Sequence, residues 1–365
     1  MRKGEFAKAE AHFRTAIKTL TQRNPNPYDG EPYFNLGWSC RMQGKIDEAY
    51  DAFYKAAWNA AWQDASYFEI ARIETIRGEY EKALESVEKS LTRNWHHHKA
   101  RQLKCSLLRK MKYNEKAVAF ADASLEIDSF NMGCRYERYL ASGENSDLEK
   151  LKELMRDWSH GYIEYALDFV AGGLYEEAAG LLGLYLQDVE KVYPIIYYLL
   201  GYICMKQSNP SLAQEYFVKA EKCDSAYCFP NRIEEVLILQ EAVRQNPSDA
   251  KAFYYLGNFW YASRRYENAV SCWEQSATID PGFPTVWRNL SLAYYNKCNN
   301  REKAVAALEK AFALDNTDAR ILMELDQLYK KLGRSYAERL IFLEKHVALV
   351  ESRDDLALER ITLYN

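Results

Sequence analysis

The sequence predicts an all-α chain: a right-handed superhelical solenoid of antiparallel helix pairs with two irregular interruptions. Three observations lead there. Apolar residues recur at helical spacing throughout, and no stretch shows the period-two alternation of a half-buried strand. A unit of roughly 34 residues recurs along the chain. Each clear copy sets small residues where two helices must approach closely, then stops at a proline or polar turn.

Residues 4–27 have the pattern of a second helix of a pair. Gly4, Phe6, Ala9, Phe13 and Ala16 fill its positions, and Pro25 and Pro27 are its expected terminators. No first helix precedes it, so the chain is expected to start inside a longer protein. Pairs follow at 30–63 (Tyr33, Leu36, Gly37, then Gly44, Ala49, Phe53, Ala56), at 64–97 (Tyr67, Ala71, Gly78, Tyr80, Ala83) and at 98–131 (Cys105, Ala117, Ser124). Segment 132–158 is a degenerate repeat and a bend. Its turn runs from Ser142 to Asp147, with a helix N-cap signal at the end.

The register resumes at 159–193 (Tyr165, Ala166, Gly173, Tyr175, Ala178) and 194–227 (Leu200, Gly201, Ala213, Phe217, Ala220). Residues 230–245 then form one helix, started by Pro230 and ended by Asn246-Pro247, with no evident partner. The most regular block is 250–283, 284–318 (one extra residue near Asn299-Asn300) and 319–352. Residues 353–365 have the spacing of a further first helix, with Leu356 and Leu363, and end at Asn365 before a second. The expected organisation is an N-terminal block 1–131, a bend 132–158, two repeats 159–229, an extra helix 230–249 and a C-terminal block 250–365.

Composition narrows the function classes. Of 365 residues, 48% are hydrophobic and 27% charged, which suits a folded soluble chain rather than a disordered one. A net charge of −4 provides no field for nucleic acid or an anionic membrane, so neither is expected as a partner. No apolar run approaches the roughly 18–20 residues of a membrane span. The N-terminus lacks the apolar core of a signal peptide, and a cytoplasmic location is expected. Most of the eight cysteines sit inside helical patterns, as buried free thiols would. The spacing Cys223-x4-Cys228 is not that of a zinc or redox pair.

Catalytic signatures are absent from the sequence: no Gly-rich phosphate loop, no G-x-S-x-G, no H-E-x-x-H. Trp95-His96-His97-His98 falls in a turn, and consecutive side chains diverge, so at most two could face one metal and a solvated loop is expected. The acidic pairs Glu234-Glu235 and Asp354-Asp355 read as solvated faces. The expectation is a non-enzymatic chain with no cofactor and no metal.

The first helices of such a stack line a concave face. Counting from each repeat start, the groove slots are the second, fifth, sixth, ninth and twelfth positions. In the front block these hold Phe34, Asn35, Trp38, Arg41, Phe68, Arg72, Gln102 and Arg109. In the rear block they hold Lys251, Tyr254, Tyr255, Asn258, Tyr261, Arg288, Asn289, Tyr295, Arg320 and Gln327. The expected contact set for a protein or peptide partner is Phe34, Trp38, Arg41, Arg72, Tyr254, Asn258, Tyr261, Arg288, Asn289 and Arg320. Aromatic platforms beside forked donors suit an extended peptide with acidic groups. Trp58 and Trp62, at or after a second helix, are expected to pack into the core.

The spacing L-G-x2-W in Leu256-Gly257 to Trp260, followed by Tyr266, Ala269, Trp273 and a stop at Asp280-Pro281, resembles the tetratricopeptide repeat. The resemblance covers nearly the whole chain and implies an interaction scaffold. Asn258, Asn289 and Arg320 further resemble part of the carboxylate clamp of chaperone-binding tetratricopeptide domains. Tyr254 stands where that clamp has its first Lys, and Glu324 where it has its last Arg; a Glu there repels a terminal carboxylate. Segments such as NPYDGEPYFNLG, DEAYDAFYKAAWNAAW and CFPNRIEEVLILQEAV look like the C-terminal repeat half of large bacterial proteins. In those proteins a β-rich, sugar-mutarotase-like domain of unknown function precedes the repeats. That likeness implies a link to carbohydrate metabolism, with Trp38, Trp58 and Trp62 available to stack on sugars and an N-terminal domain of the same polypeptide as a partner.

Overall fold

The computed structural model describes residues 1, 3–25 and 28–364, leaving aside the side chain of Asp188. Every regular element among them is helical. A lone helix α1 (Phe6–Leu20) comes first, then pairs α2 (Glu31–Arg41) with α3 (Ile46–Ala56), α4 (Gln63–Ile76) with α5 (Tyr80–Arg93), and α6 (His98–Lys110) with α7 (Asn114–Ile127). They continue as α8 (Met132–Ser142) with α9 (Asn145–Met155), α10 (Ser159–Ala171) with α11 (Tyr175–Asp188), and α12 (Pro194–Lys206) with α13 (Pro210–Lys222). After α14 (Ile233–Gln245) come α15 (Ala250–Ala262) with α16 (Tyr266–Ile279), α17 (Pro284–Asn296) with α18 (Arg301–Leu314), and α19 (Ala319–Lys331) with α20 (Tyr336–Glu344). Two more, α21 (Val347–Glu351) and α22 (Asp354–Tyr364), complete the order. The chain forms two compact units, Met1–Tyr216 and Phe217–Asn365, with the boundary inside α13.

One residue type at one register explains the pairing. The fourth position of a second helix is Ala49, Ala83, Ala117, Ala178, Ala213, Ala269 or Ala304, each no more than 1% exposed. The facing position of the first helix is small as well. A Cβ added to Gly37 would lie 2.6 Å from the Phe53 ring, and one added to Gly257 would lie 2.3 Å from Trp273. Both glycines are spaces into which a second-helix aromatic is already packed. The turn within a pair passes through a left-handed residue, Gly at 44, 78, 173 and 333. At the same place other pairs use Lys112, Ser208, Arg264 and Asn299, where a side chain makes that backbone costlier.

Several boundaries differ from the expected ones. Helix α1 ends at Leu20, well before Pro25, with the Thr21 hydroxyl capping the Ile17 carbonyl at 2.8 Å; Pro27 and Asn365 lie outside the described residues. The turn expected over 142–147 is only Gly143-Glu144. Helix α9 starts at Asn145, so Asp147 is buried in its first turn and receives Arg138 and, at 3.1 Å, the Ser142 hydroxyl. Helix α14 starts at Ile233 rather than Pro230, because the buried Glu235 carboxylate accepts the backbone N–H groups of Asn231 and Arg232 at 2.7 and 2.8 Å. The same helix is not without a partner: it packs on α15, as α16 packs on α17. Past α20, the second helix of the last pair breaks at Lys345-His346 before the short α21.

Candidate functional site

In the N-terminal unit the predicted groove residues of the front block face the chain itself. Arg41, at the end of α2, donates to Glu69 of α4 and to the Ala171 carbonyl that ends α10. Arg72 bridges Glu69 at 3.1 Å and Asp168 of α10 at 2.9 Å, and Lys99 of α6 reaches the same Asp168 oxygen at 2.9 Å. Arg109 binds Glu137 of α8 at 2.6 Å and Glu177 of α11 at 2.7 Å, with Lys110 also on Glu177 at 2.7 Å. The turn into α11 follows these pairs inward. A Cβ on Gly173 would meet the Ile76 side chain at 3.0 Å. Helices α10 and α11 therefore sit against the first helices of earlier repeats, and Asp168, Glu177 and the Ala171 carbonyl take up Arg72, Arg109 and Arg41.

Two of those carboxylates respond differently to their surroundings. Burial pushes the Glu137 carboxyl up despite Arg109 and the Ser106 hydroxyl. Burial also opposes ionisation of Glu177, but hydrogen bonds from Lys110 and Arg109 outweigh it and hold that carboxyl below its ordinary value. The aromatic members of the front set serve packing. Phe34 lies 5.5 Å from Phe53 and 4.8 Å from Trp62, and Trp38 packs on the cluster around Leu36 and Phe53 with Arg41 over its ring. Phe68 is buried beneath the Arg72 guanidinium at 4.2 Å. Trp62 is half-buried, whereas Trp58, expected in the core, is 60% exposed with the Lys55 ammonium 3.5 Å over its ring. It lies just past the end of α3, where the helix no longer directs it inward.

In the C-terminal unit the first helices α15, α17 and α19 present the rear set. Asn258 accepts from the Trp273 indole at 3.2 Å and from the Asn289 amide at 3.1 Å, which joins α15 to α17. Arg288 holds Glu324 through two parallel hydrogen bonds, one of 2.7 Å, which joins α17 to α19. That pair keeps Arg288 firmly charged, the hydrogen bond from its guanidinium to Glu324 being the main cause. Tyr254 is only 4% exposed, packed on Phe283 at 4.9 Å, and burial raises its hydroxyl pKa. Tyr261 is half-buried between Tyr266 and Trp273. Arg320 is exposed, and its guanidinium makes no ion pair among the described residues. Gln327 and Tyr295 are half-exposed on the same side, with Lys331 5.5 Å from the Tyr295 ring.

Two clusters bring metal-ligating atom types together. Glu10, Cys40 and Glu48 place one ligand atom each within 4.8 Å of one another. Glu10, however, accepts from Lys45 at 2.7 Å, Gln43 at 2.8 Å and Arg14 at 2.9 Å, and Arg14 also takes Glu48. Cations already use the lone pairs a metal needs. The histidine run splits: His97 packs edge-on against Phe68 at 4.5 Å, with burial lowering its pKa, while His96 and His98 are exposed. Sequence reasoning missed Asp168, Glu177 and Asp128 as residues of the front face. The slot count carried into 159–193 reaches Glu164 but skips Asp168, which lies at the tenth position.

The comparisons with known proteins recognise the repeat directly. One tetratricopeptide-repeat model matches residues 1–66 and 238–284. A second tetratricopeptide-repeat model matches 195–227 and 285–318. Both describe repeats, and neither describes a catalytic family. Among solved structures, the chain is similar to YrrB, a tetratricopeptide-repeat protein with an unusual peptide-binding site, at 22% identity over 66% of this chain and 98% of that one, TM-score 0.25. A tetratricopeptide-repeat protein from Parabacteroides merdae is similar at 18% identity over 84% and 93%, TM-score 0.34. The Cut9-Hcn1 hetero-tetramer of APC/C is similar at 13% identity over 97% and 81%, TM-score 0.32. No helix among the described residues is long and apolar enough to cross a membrane.

Proposed function

We propose that this chain is a non-enzymatic protein-interaction scaffold, and that the first-helix face of its C-terminal unit receives an extended peptide. One observation carries the reading. Along α15, α17 and α19, polar groups reach the surface with no partner among the described residues: the Asn289 side-chain oxygen, the Gln327 amide and the Arg320 guanidinium. Tyr261 and Tyr295 stand beside them as platforms. Amide groups match a peptide backbone, and a free guanidinium matches an acidic side chain. The Arg288–Glu324 pair places a carboxylate within the same face, which disfavours a peptide's terminal carboxylate there and favours internal peptide segments. The test is to select peptides against the intact chain by display and to titrate the winners calorimetrically. Asn289→Ala and Arg320→Ala are expected to weaken them about tenfold or more each; selected peptides indifferent to both substitutions would refute the reading.

A second reading, an accessory half of a carbohydrate-active enzyme whose catalytic domain lies in the same polypeptide, is favoured by the exposed Trp58 ring. A stacked sugar would change tryptophan emission. Titration with oligosaccharides that leaves the emission of the chain and of Trp58→Ala alike would count against it.

A further inference from the structure

In the N-terminal unit, the closure of α10 onto α6 leaves a cleft of about 190 Å³ between α6, the start of α8 and α10. Gln102 of α6 lines it. This residue is only 4% exposed, and its carboxamide has no hydrogen-bond partner among the described residues. Buried amides are almost always satisfied, so one left open toward a cleft marks a place where something else completes it. Its space is reserved by Gly133, since a Cβ there would lie 2.0 Å from the Gln102 oxygen.

The other walls carry the carboxylates of Asp128, Glu164 and Asp168, with the Lys99 ammonium and the His98 ring beside them. Asp168 is already neutralised by Arg72 and Lys99. One Asp128 oxygen accepts the Phe130 backbone N–H at 2.9 Å, and the other faces the His98 imidazole at 3.7 Å, beyond hydrogen-bond length. Glu164 stands at the exposed rim, and Tyr165, half-buried, forms an apolar flank. The volume is below the roughly 300–1,000 Å³ of small-molecule sites and suits one long side chain. We infer that this cleft binds a basic side chain, arginine before lysine, presented by a partner protein. Its N–H groups donate to the Gln102 carboxamide oxygen and the Asp128 and Glu164 carboxylates. Arginine is preferred because its planar fork serves two acceptors at once. The site is separate from the peptide face of the C-terminal unit and does not depend on it.

The test uses the intact chain and three fluorescein-labelled tetrapeptides, of arginine, lysine and citrulline, in fluorescence anisotropy at physiological salt. The arginine peptide is expected to bind more tightly than the lysine peptide, and the citrulline peptide, uncharged with the same shape, not to bind. Gln102→Ala and the rim variant Glu164→Gln are each expected to weaken arginine binding about tenfold or more. Asn289→Ala, in the other unit, is expected to leave it unchanged. Equal binding of citrulline overturns the proposal. So does arginine binding that both Gln102→Ala and Glu164→Gln leave intact, which would mean diffuse attraction to an acidic surface. Circular dichroism of Gln102→Ala guards against misfolding, and Glu164→Gln, at an exposed position, decides the matter if that variant fails to fold.

Discussion

Arg339 occupies the fourth position of α20, where the other regular pairs have alanine, and Asp326 the position where earlier first helices have Gly37 and Gly257. Both are buried to 1% exposure or less, and they meet at 3.0 and 2.6 Å, with Glu359 of α22 also 2.6 Å from Arg339. The last pair has replaced a small-on-small contact by a desolvated ion pair. Removing one partner strands a buried charge, so Arg339→Ala or Asp326→Asn is expected to cost about 3–5 kcal/mol in urea unfolding. The double substitution by apolar residues should recover part of that loss, and additive losses would show that the two act separately. The alanine series at 49, 83 and 269 was legible in the sequence, because a small residue at a fixed period has one reading. The Arg339–Asp326 pair was not, because each residue breaks the rule alone and only their meeting across two helices explains both.

At the scale of elements, α1 shows how a helix without a pair is held. Glu10 tethers it to Gln43 and Lys45 at the turn after α2. The Lys45 hydrogen bond is the main reason the Glu10 carboxyl is held near 2, against burial, with Arg14 and Gln43 helping. A folded-state value below the unfolded one of 4.5 stabilises fully above 4.5, and that contribution is lost as pH falls through about 2. The urea midpoint of the protein should therefore exceed that of Glu10→Gln by a constant amount above pH 4.5, and the gap should narrow below it; a gap independent of pH would remove Glu10 from this role. Helix existence was legible here from periodicity alone. Helix ends were less so: α14 begins where Glu235 caps it, and α9 begins at Asn145 because Asp147 is drawn inward by Arg138. Such caps depend on which way a side chain turns.

At the scale of each whole unit, the closure of the N-terminal one depends on a few charges. Asp168 is the point where α4, α6 and α10 meet, through Arg72 and Lys99. Asp168→Asn keeps the shape and removes the charge, and about 2 kcal/mol is expected to be lost. Hydrogen exchange should quicken in α10 and α11, with little change in the C-terminal unit, since repeat stability is largely a neighbour-to-neighbour sum. Equal quickening in both units would contradict that locality.

The sequence by itself determined the helix pairs, their order and the small residues at their contacts, because these follow from spacing within one repeat and between neighbours. It also located Arg41, Arg72, Gln102, Asn289 and Arg320 on first helices. Only the tertiary structure decided what those side chains face. Arg41 meets the carbonyl of Ala171 across three intervening helix pairs, and Arg72 meets Asp168 across two. A pattern that describes each repeat against the next carries no information about repeats brought together by curvature. The front arginines are therefore engaged within the chain, while Gln102 and Arg320 keep hydrogen-bonding groups without partners among the described residues.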